Sequence, residues 1–398
     1  MSCQLRFSAD SPRRGPDGYN SSVGESLLSP PILIAEAEAL LRLAPILARE
    51  PHLAVDTESN SLYAYRERVC LIQFSTPGAD YLVDPLALGD LSSLKPIFAN
   101  PSIEKVLHGA EYDIICLKRD FGIQFTDLFD TRVACRTLGR CQDGLGDLLK
   151  QEFGVHLNKR YQRADWGQRP LPPNLLDYAR LDTHYLLPLR HRMAEALQAA
   201  GRWEEASEEC DRLTRVEPHN NGFGPQGFWH IGNARHLPPI QAAVLRRLYL
   251  LREELARQAD RPPFKILGDK TLLAIAQTCP SDLQALQGLP GMTAGQIRRH
   301  GGSLLEAVRK GLKDRPPRPP ATERVDEAVV ARHERLRAWR KHAAEARRVE
   351  SDVILPREIL WEIARLAPRS SGELEAILGP LRWRFREYGS EILRLLWG

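Results

Sequence analysis

Short apolar runs that end in turn residues predict a β-sheet in the first half of the chain. These runs are HLAVDT (52–57), CLIQFST (70–76), DYLVD (80–84) and KVLH (105–108). Their length and their β-branched and aromatic residues are typical of strands. Apolar positions with helical spacing occupy residues 35–47, 113–119 and 175–197. Strands mixed with helices in this way predict an α/β domain over residues 31–205.

Helical spacing replaces the strand pattern in the second half of the chain. Four segments, IQAAVLRRLYLLREELAR, KTLLAIAQ, SDLQALQGL and GSLLEAVRKGL, predict a small all-α domain over residues 236–315. Residues 206–235 contain a crowded group of Pro, Asn and Gly and predict a linker. The proline-rich basic stretch that includes residues 316–324 predicts a second, stiffer linker.

An internal repeat links the two C-terminal segments. Residues 263–308 and 352–395 show the same order of features: a short entry, a helix rich in Leu, Ile and Ala, a break with Pro and Ser, a Leu-rich helix, and a closing helix after basic residues and Gly-Ser. The second copy lacks the turn GLPGMT of the first. We therefore expect a second, degenerate all-α domain over residues 325–398.

Composition places the chain among ordinary globular proteins. Hydrophobic residues make up 43% and charged residues 27% of its 398 positions, which excludes a disordered or collagen-like chain. The formal net charge of +4 is too small to identify a nucleic-acid-binding protein by itself. Residues 1–30 are rich in Ser, Gly, Pro and Asn and predict a flexible tail.

Cysteine usage and hydropathy predict a cytoplasmic protein. The seven cysteines form no CxxC pair and no Cys/His spacing typical of zinc, which favours a reducing compartment. No apolar run approaches the roughly 20 residues that a membrane helix needs, and the N-terminus lacks the pattern of a secretory signal. We therefore expect no membrane association, and the sequence identifies no protein partner.

The first acidic cluster lies at the end of the predicted strand HLAVDT. Asp56 and Glu58 alternate with Thr57, and because a strand turns every second side chain to the same face, both carboxylates should emerge on one side of the sheet. Two like charges so placed repel each other and favour the binding of a cation. The alternative for this pair alone is a strand that ends in an ordinary polar turn.

Two further acidic positions lie downstream. Asp113 follows a short strand and a glycine turn at the start of a predicted helix, where an aspartate is often only a cap or a dipole partner. Tyr178 and Asp182 are four residues apart in LLDYARLDTHYLLPL, so their side chains should share one face of a helix. Such a pair, taken alone, is common as an ordinary hydrogen bond.

Considered together, the four acids indicate a metal site. Asp56, Glu58, Asp113 and Asp182 offer hard oxygen ligands suited to two divalent cations, Mg²⁺ or Mn²⁺, without the thiolates or histidines that select zinc. Two such cations stabilise the attacking and the leaving oxygen of a phosphoryl displacement. Tyr178 could orient the attacking water or help to deprotonate it.

The three segments resemble the three exonuclease motifs of the DEDD superfamily, in its tyrosine-bearing branch. Asp56 and Glu58 match the first motif, Asp113 the second, and Tyr178 with Asp182 the YxxxD third. The stretch KRYQRADWGQRPLPPNLLDYARLDTHYLLPL is similar to RNase D and to the related nuclease of the eukaryotic exosome. The two C-terminal units resemble HRDC domains, the second more weakly.

The resemblance covers about residues 30–395 and implies a ribonuclease-H-like α/β exonuclease domain followed by two small all-α HRDC-like domains. It implies 3′-to-5′ hydrolysis that releases nucleoside 5′-monophosphates, with the four acids as metal ligands and Tyr178 as a catalytic residue. The implied partner is a nucleic acid with a free 3′ end, expected to be RNA, and the implied role is 3′ maturation of tRNA or other structured RNA.

Basic residues before the third motif are candidates for contact with this nucleic acid. Lys159, Arg163 and Arg169 could meet phosphates, and His108 could touch the substrate. The alternatives are a solvated basic loop, with Trp166 in the core as we expect, and a hydrogen-bonded histidine at a strand end.

Two other functions stay open at this point. A DNA exonuclease of repair or proofreading type would use the same carboxylates, and no sequence motif reports recognition of the 2′-hydroxyl. A non-catalytic nucleic-acid-binding adaptor would be expected to lack one carboxylate or Tyr178, whereas all are present.

Overall fold

The computed structural model describes residues 29–218, 224–320 and 325–397. The predicted tail lies outside these residues except for its last two positions. Within the described residues, a unit that contains a β-sheet precedes two helical units. None of the described helices combines the length and the apolar character needed to cross a membrane.

The N-terminal unit is built on a six-stranded mixed sheet. The strands are β1 (Ile32–Ile34), β2 (His52–Ser59), β3 (Val69–Ser75), β4 (Asp80–Val83), β5 (Glu104–Leu107) and β6 (Leu128–Asp130). Their order across the sheet is β1-β4-β3-β2-β5-β6. Strand β3 is antiparallel to both β2 and β4, and the other pairs are parallel. All residues of β3 are buried because it lies inside the sheet and both of its faces are covered.

Helices cover both faces of this sheet. The helices of the N-terminal unit are α1 (Ala37–Leu47), α2 (Pro85–Leu88), α3 (Lys95–Phe98), α4 (Glu111–Phe121), α5 (Thr131–Thr137), α6 (Leu145–Phe153), α7 (Pro173–His184), α8 (Leu186–Ala199) and α9 (Trp203–Thr214). Ile72 and Phe74 of β3 pack in one core with side chains of α1 and α4. On the opposite face, Leu71 packs with Ala179 of α7. The alternation of β3 therefore directs every second side chain toward α7.

The two C-terminal units repeat one arrangement of five helices. The first contains α10 (Pro239–Gln258), α11 (Pro263–Ile266), α12 (Asp269–Thr278), α13 (Leu283–Leu286) and α14 (Ala294–Lys313); the second contains α15 (Glu327–Arg347), α16 (Ser351–Ile354), α17 (Arg357–Leu366), α18 (Ser371–Leu378) and α19 (Arg382–Trp397). Their third helices both end at a left-handed residue, Cys279 with φ 47° and Ala367 with φ 46°. Each unit has its own apolar core. The structure thus contains the two all-α domains expected from the repeat.

Several elements were not predicted from the sequence, and β1, β6 and α9 show why. Strands β1 and β6 have only three residues each, which is too short for an alternating pattern. Helix α9 occupies the beginning of the segment predicted as the linker 206–235. Its buried residues include Glu205 and Glu208 beside Ala206, Cys210 and Leu213, so its buried face is only partly apolar.

Helix α9 anchors the second helical unit to the N-terminal unit through ion pairs. Arg384 Nη1 lies 2.8 Å from Glu208 Oε1, and the two side chains are only 2% and 5% exposed. Arg347 Nη2 lies 2.5 Å from Oε2 of Glu205, whose side chain is fully buried. Because Glu205, Glu208 and Arg384 are removed from water, each of these charges depends on its partner. The two units are therefore held together by buried charged contacts.

We predict that Arg384→Ala will destabilise the protein by roughly 3–5 kcal/mol, because it leaves Glu208 buried without its charged partner. Urea denaturation followed by tryptophan fluorescence would measure the shift. The matched control is Arg337→Ala, which removes a pair with Glu334 whose side chains are 65% and 56% exposed, and it should change the stability by less than about 1 kcal/mol. Equal shifts for both variants would contradict a docking role for Arg384.

Candidate active site

The acidic cluster forms where the end of β2 meets α7. Asp56 and Glu58 are two residues apart on β2 and therefore point to the same side. Asp182 of α7 faces them, and one carboxylate oxygen from each of these three residues lies within 4.8 Å of the others. The strand and the helix thus bring together three acids that the sequence predicted to share a site.

Asp113 joins the cluster from the first turn of α4. The hydroxyl of Thr57, which lies between the two acids of β2, donates a hydrogen bond to Asp113 Oδ1. The start of α4 is fixed by Asp130, whose carboxylate accepts hydrogen bonds from the backbone N–H of Gly109 at 2.9 Å and of Ala110 at 2.7 Å. Asp113 is close enough for its charge to raise the pKa of Asp56. Its position therefore follows from contacts with β2 and β6.

Tyr178 and Asp182 lie on the same face of α7. The Tyr178 hydroxyl lies close enough to the Asp182 carboxylate to lower its pKa, and the Gln162 side chain lies close enough to Tyr178 to lower the pKa of the phenol. The ring of Tyr178 packs against Tyr161 and Trp166, with centroid distances of 5.6 and 6.2 Å. This packing holds the phenol oxygen beside the carboxylates.

Burial and mutual repulsion make the carboxylates of this cluster reluctant to ionise. Burial raises the pKa of Asp113 and that of Asp182 to about 7. The pKa values of Asp56 and Glu58 lie well above the usual range, first because of burial and then because of the neighbouring acids. Burial, followed by the charges of Asp182, Glu58 and Asp56, also raises the pKa of Tyr178.

The residues present fit a divalent cation. A cation among these oxygens would compensate the repulsion that raises the carboxylate pKa values. The donors are carboxylates, and the cluster contains neither cysteine nor histidine, which matches the oxygen ligands preferred by Mg²⁺ and Mn²⁺. Three of the four acids named from the sequence, Asp56, Glu58 and Asp182, therefore form a group that could hold such an ion. Asp113 does not belong to this group of three and contacts Thr57 beside it.

The four residues predicted to contact the substrate lie in different environments. Arg163 has an exposed side chain, and its carbonyl accepts a hydrogen bond from the Tyr63 hydroxyl at 2.7 Å. His108 lies just after β5, and its Nδ1 is 3.0 Å from Thr131 Oγ1, as expected for a hydrogen-bonded strand-end histidine. The side chain of Lys159 lies outside what the structure describes. Trp166 is buried in the core as predicted.

Arg169 does not fit the nucleic-acid contact predicted for it. Its guanidinium forms a two-pronged ion pair with Asp84, at 2.6 and 2.7 Å, and donates to the carbonyl oxygens of Trp166, Gln168 and Cys70. These contacts use all five N–H donors of an arginine, so none is left for a phosphate. The residue instead ties the segment before α7 to β3 and β4.

Three residues that contribute to the site were not predicted from the sequence. Thr57 and Asp130 support Asp113, and Gln162 contacts Tyr178. Thr57 lies between the two acids of β2, so its place in the sequence could have marked it as a residue near the site. The other two act through contacts between distant segments, which no local pattern reports.

Comparison with protein families assigns each unit of the chain. A family model described as 3′-5′ exonuclease matches residues 31–198. A model of the HRDC domain matches residues 241–308 and 330–396. The first match contains all four acids and Tyr178, and the second pair of matches covers both helical units.

Individual relatives agree with these matches. The chain is 33% identical over 301 residues to the exosome complex exonuclease RRP6 of Saccharomyces cerevisiae, covering 72% of this chain and 41% of that protein. It therefore spans less than half the length of that relative. It is also 30% identical to a ribonuclease D of Acidiphilium cryptum, and here the alignment covers 92% of this chain and 93% of the relative.

A solved structure shares the arrangement of the whole chain. The structure of Escherichia coli RNase D, described as an exoribonuclease involved in structured RNA processing, superposes with a TM-score of 0.67 and 27% identity. The match covers 92% of this chain and 98% of that one. The likeness thus extends over the sheet-bearing unit and the helical units together.

We predict that Asp182→Asn will raise the melting temperature of the protein in EDTA, because it removes one of several buried carboxylates that repel one another. Mg²⁺ or Mn²⁺ should stabilise the parent, by about 2.7 kcal/mol at a hundredfold excess over the Kd, and should stabilise the variant less. Thermal denaturation with and without the cation measures both effects.

The matched control for this prediction is Asp177→Asn. Asp177 lies on the same helix, but its side chain is 61% exposed, so this variant should respond to the cation as the parent does. If Asp182→Asn melted at a lower temperature in EDTA and kept the full response to the cation, Asp182 would be a structural residue and not a metal ligand.

Proposed function

This chain belongs to the ribonuclease D family, and on that premise we propose that it is a 3′-5′ exoribonuclease that hydrolyses phosphodiester bonds with the help of two divalent cations. Family membership rests on the relative aligned over nearly the full length of both chains. The single observation that carries the activity is the convergence of carboxylates from β2, α4 and α7 beside the Tyr178 phenol. A chain that had become a mere adaptor would have no need to keep these acids together.

The reaction we propose is the hydrolysis of the last phosphodiester bond of the substrate. Water attacks the phosphorus, the 3′ oxygen of the preceding nucleotide leaves and takes up a proton, and a nucleoside 5′-monophosphate is released. Bound cations would neutralise the charge that develops on the phosphate and lower the pKa of water. Asp56, Glu58, Asp113 and Asp182 are the side chains we propose to hold them.

Other residues of the chain prepare the site for this reaction. Tyr178 lies beside Asp182, where its oxygen could orient water. The packing of its ring against Trp166 and Tyr161 limits its movement. Thr57 and Asp130 hold Asp113 in register with the strand. These supporting contacts keep the catalytic oxygens in place before the substrate arrives.

We propose RNA as the substrate, and the 3′ maturation of tRNA or other structured RNA as the role. The relatives named above are an exosome exonuclease, a ribonuclease D and an exoribonuclease involved in structured RNA processing. Two HRDC domains after the nuclease domain support contact with nucleic acid beyond the cleavage site. A cytoplasmic location stays a prediction from the sequence.

We predict that the purified chain with Mg²⁺ or Mn²⁺ will shorten a 5′-labelled RNA in single-nucleotide steps, because the proposed activity removes one nucleotide at a time from a free 3′ end. Asp182→Asn should abolish this shortening, and Asp177→Asn should not. Denaturing gel electrophoresis of the labelled products measures the steps. Matched RNA and DNA oligomers, each with a free and a blocked 3′ end, should be compared in parallel.

The assay separates the proposed function from its alternatives. Digestion of DNA alone would identify a DNA exonuclease. Binding of both oligomers without digestion would identify an adaptor. Cleavage of blocked substrates at the same rate as free ones would exclude an exonuclease that acts from the 3′ end.

We predict that Tyr178→Phe will lower kcat by about 10²–10⁴-fold, because it removes the hydroxyl that orients or deprotonates the attacking water. The metal affinity should change little, since the carboxylates remain. The control is Tyr161→Phe, which removes a hydroxyl from the ring packed against Tyr178. A single-turnover assay compares the rates, and equal rates for Tyr178→Phe and the parent would remove Tyr178 from the mechanism.

A further inference from the structure

Gln73 is a buried polar residue without a hydrogen-bond partner. Its side chain is fully shielded from solvent, and within the described part of the chain neither Nε2 nor Oε1 has a partner. A buried amide left in this state destabilises the fold compared with one that is hydrogen-bonded. An apolar residue at this position would avoid this cost, so the stability of the fold gives no reason for an amide here.

The sheet register places Gln73 beside the acidic cluster. Gln73 of β3 pairs directly with Asp56 of β2. Residues opposite each other in an antiparallel pair point to the same face, with Cβ atoms about 4.5–5.5 Å apart. The amide is therefore within side-chain reach of the Asp56 carboxylate. Helix α7, which carries Asp182, covers this face.

The next polar residue on the same face of β3 has partners. Ser75 Oγ lies 2.6 Å from Asp80 Oδ1 and 2.7 Å from Thr183 Oγ1 of α7. On the other side of Gln73, the residue paired with it on β4 is the apolar Leu82. This layer under α7 thus satisfies Ser75, whereas Gln73 lies without a partner opposite the acceptor Asp56.

We propose that Gln73 is a positioning residue for the metal site: its Nε2–H donates to one carboxylate oxygen of Asp56 and thereby directs the other oxygen toward the cation. This inference rests on the proposed function and names a further residue for the same site. Carboxylates that bind metals are commonly hydrogen-bonded by such outer residues. This hydrogen bond would give the Gln73 amide the partner that it lacks among the described residues.

The test replaces Gln73 by methionine in the full chain. Gln73→Met keeps most of the side-chain volume and removes both polar atoms. Isothermal titration calorimetry with Mn²⁺ alone should show binding about 10–100-fold weaker than in the parent. The Mn²⁺ concentration for half-maximal RNA digestion should rise by a similar factor, while the KM for RNA stays unchanged. A residue with a purely structural role would not produce this split.

The matched control is Leu82→Met, in the same buried layer and next to Gln73 on the sheet. It should bind Mn²⁺ as the parent does. In EDTA, Gln73→Met should melt at a temperature equal to or higher than that of the parent, because an amide without partners is replaced by an apolar group. These two results together would assign the amide to the metal site.

Other outcomes would overturn the assignment. Parental Mn²⁺ affinity in Gln73→Met would do so while leaving the nuclease activity of the parent intact. Loss of the folded state in both Gln73→Met and Gln73→Leu would also overturn the assignment, because an amide without a hydrogen-bond partner should not be needed for folding. If the parent digested no RNA, the proposed function would fail, and calorimetry would still report whether Gln73 supports the binding of Mn²⁺.

Discussion

Repulsion among four acids held in one small volume is the constraint on which the rest of this structure depends. Asp113 and Asp182 are buried, and Asp56 and Glu58 are half-buried. Burial raises the pKa values of all four, and the charges of the neighbouring acids raise those of Asp56, Glu58 and Asp182 further. A fold that only needed to be stable would disperse such groups. This one keeps them together with a strand, two helices and their supporting hydrogen bonds, which is understandable if their oxygens surround a cation.

Two kinds of geometry hold the acids in place. Alternation along β2 and the four-residue spacing on α7 are local: the first places Asp56 and Glu58 on one face of the strand, and the second places Tyr178 and Asp182 on one face of the helix. The position of Asp113 is not local, because it depends on the hydroxyl of Thr57 and on the carboxylate of Asp130. The positions of the acids therefore depend partly on the periodicity of single elements and partly on contacts between elements.

This difference explains how much the sequence could predict. The four longer strands, the long helices and the acids with Tyr178 follow from periodicity, and the helical repeat follows from the order of its segments. Strands β1 and β6 could not be predicted, because three residues carry no pattern and their pairing is decided by distant strands. Arg169 was misjudged for a related reason: a basic residue in a loop reads as a phosphate contact, and only the fold reveals Asp84 beside it.

Helix α9 is another element that local sequence patterns do not predict, and it connects the second HRDC domain to the sheet. Glu205 and Glu208 are buried, and a hydrophobicity pattern that counts glutamate as polar predicts that their face is exposed. Their arginine partners lie far along the chain, in the second HRDC domain. The same helix contacts the sheet, since the backbone N–H of Asp130 lies 3.3 Å from Cys210 Sγ. Asp130 in turn fixes the start of the helix that carries Asp113. Through α9, the second HRDC domain therefore packs next to β6, the strand whose Asp130 fixes the start of α4.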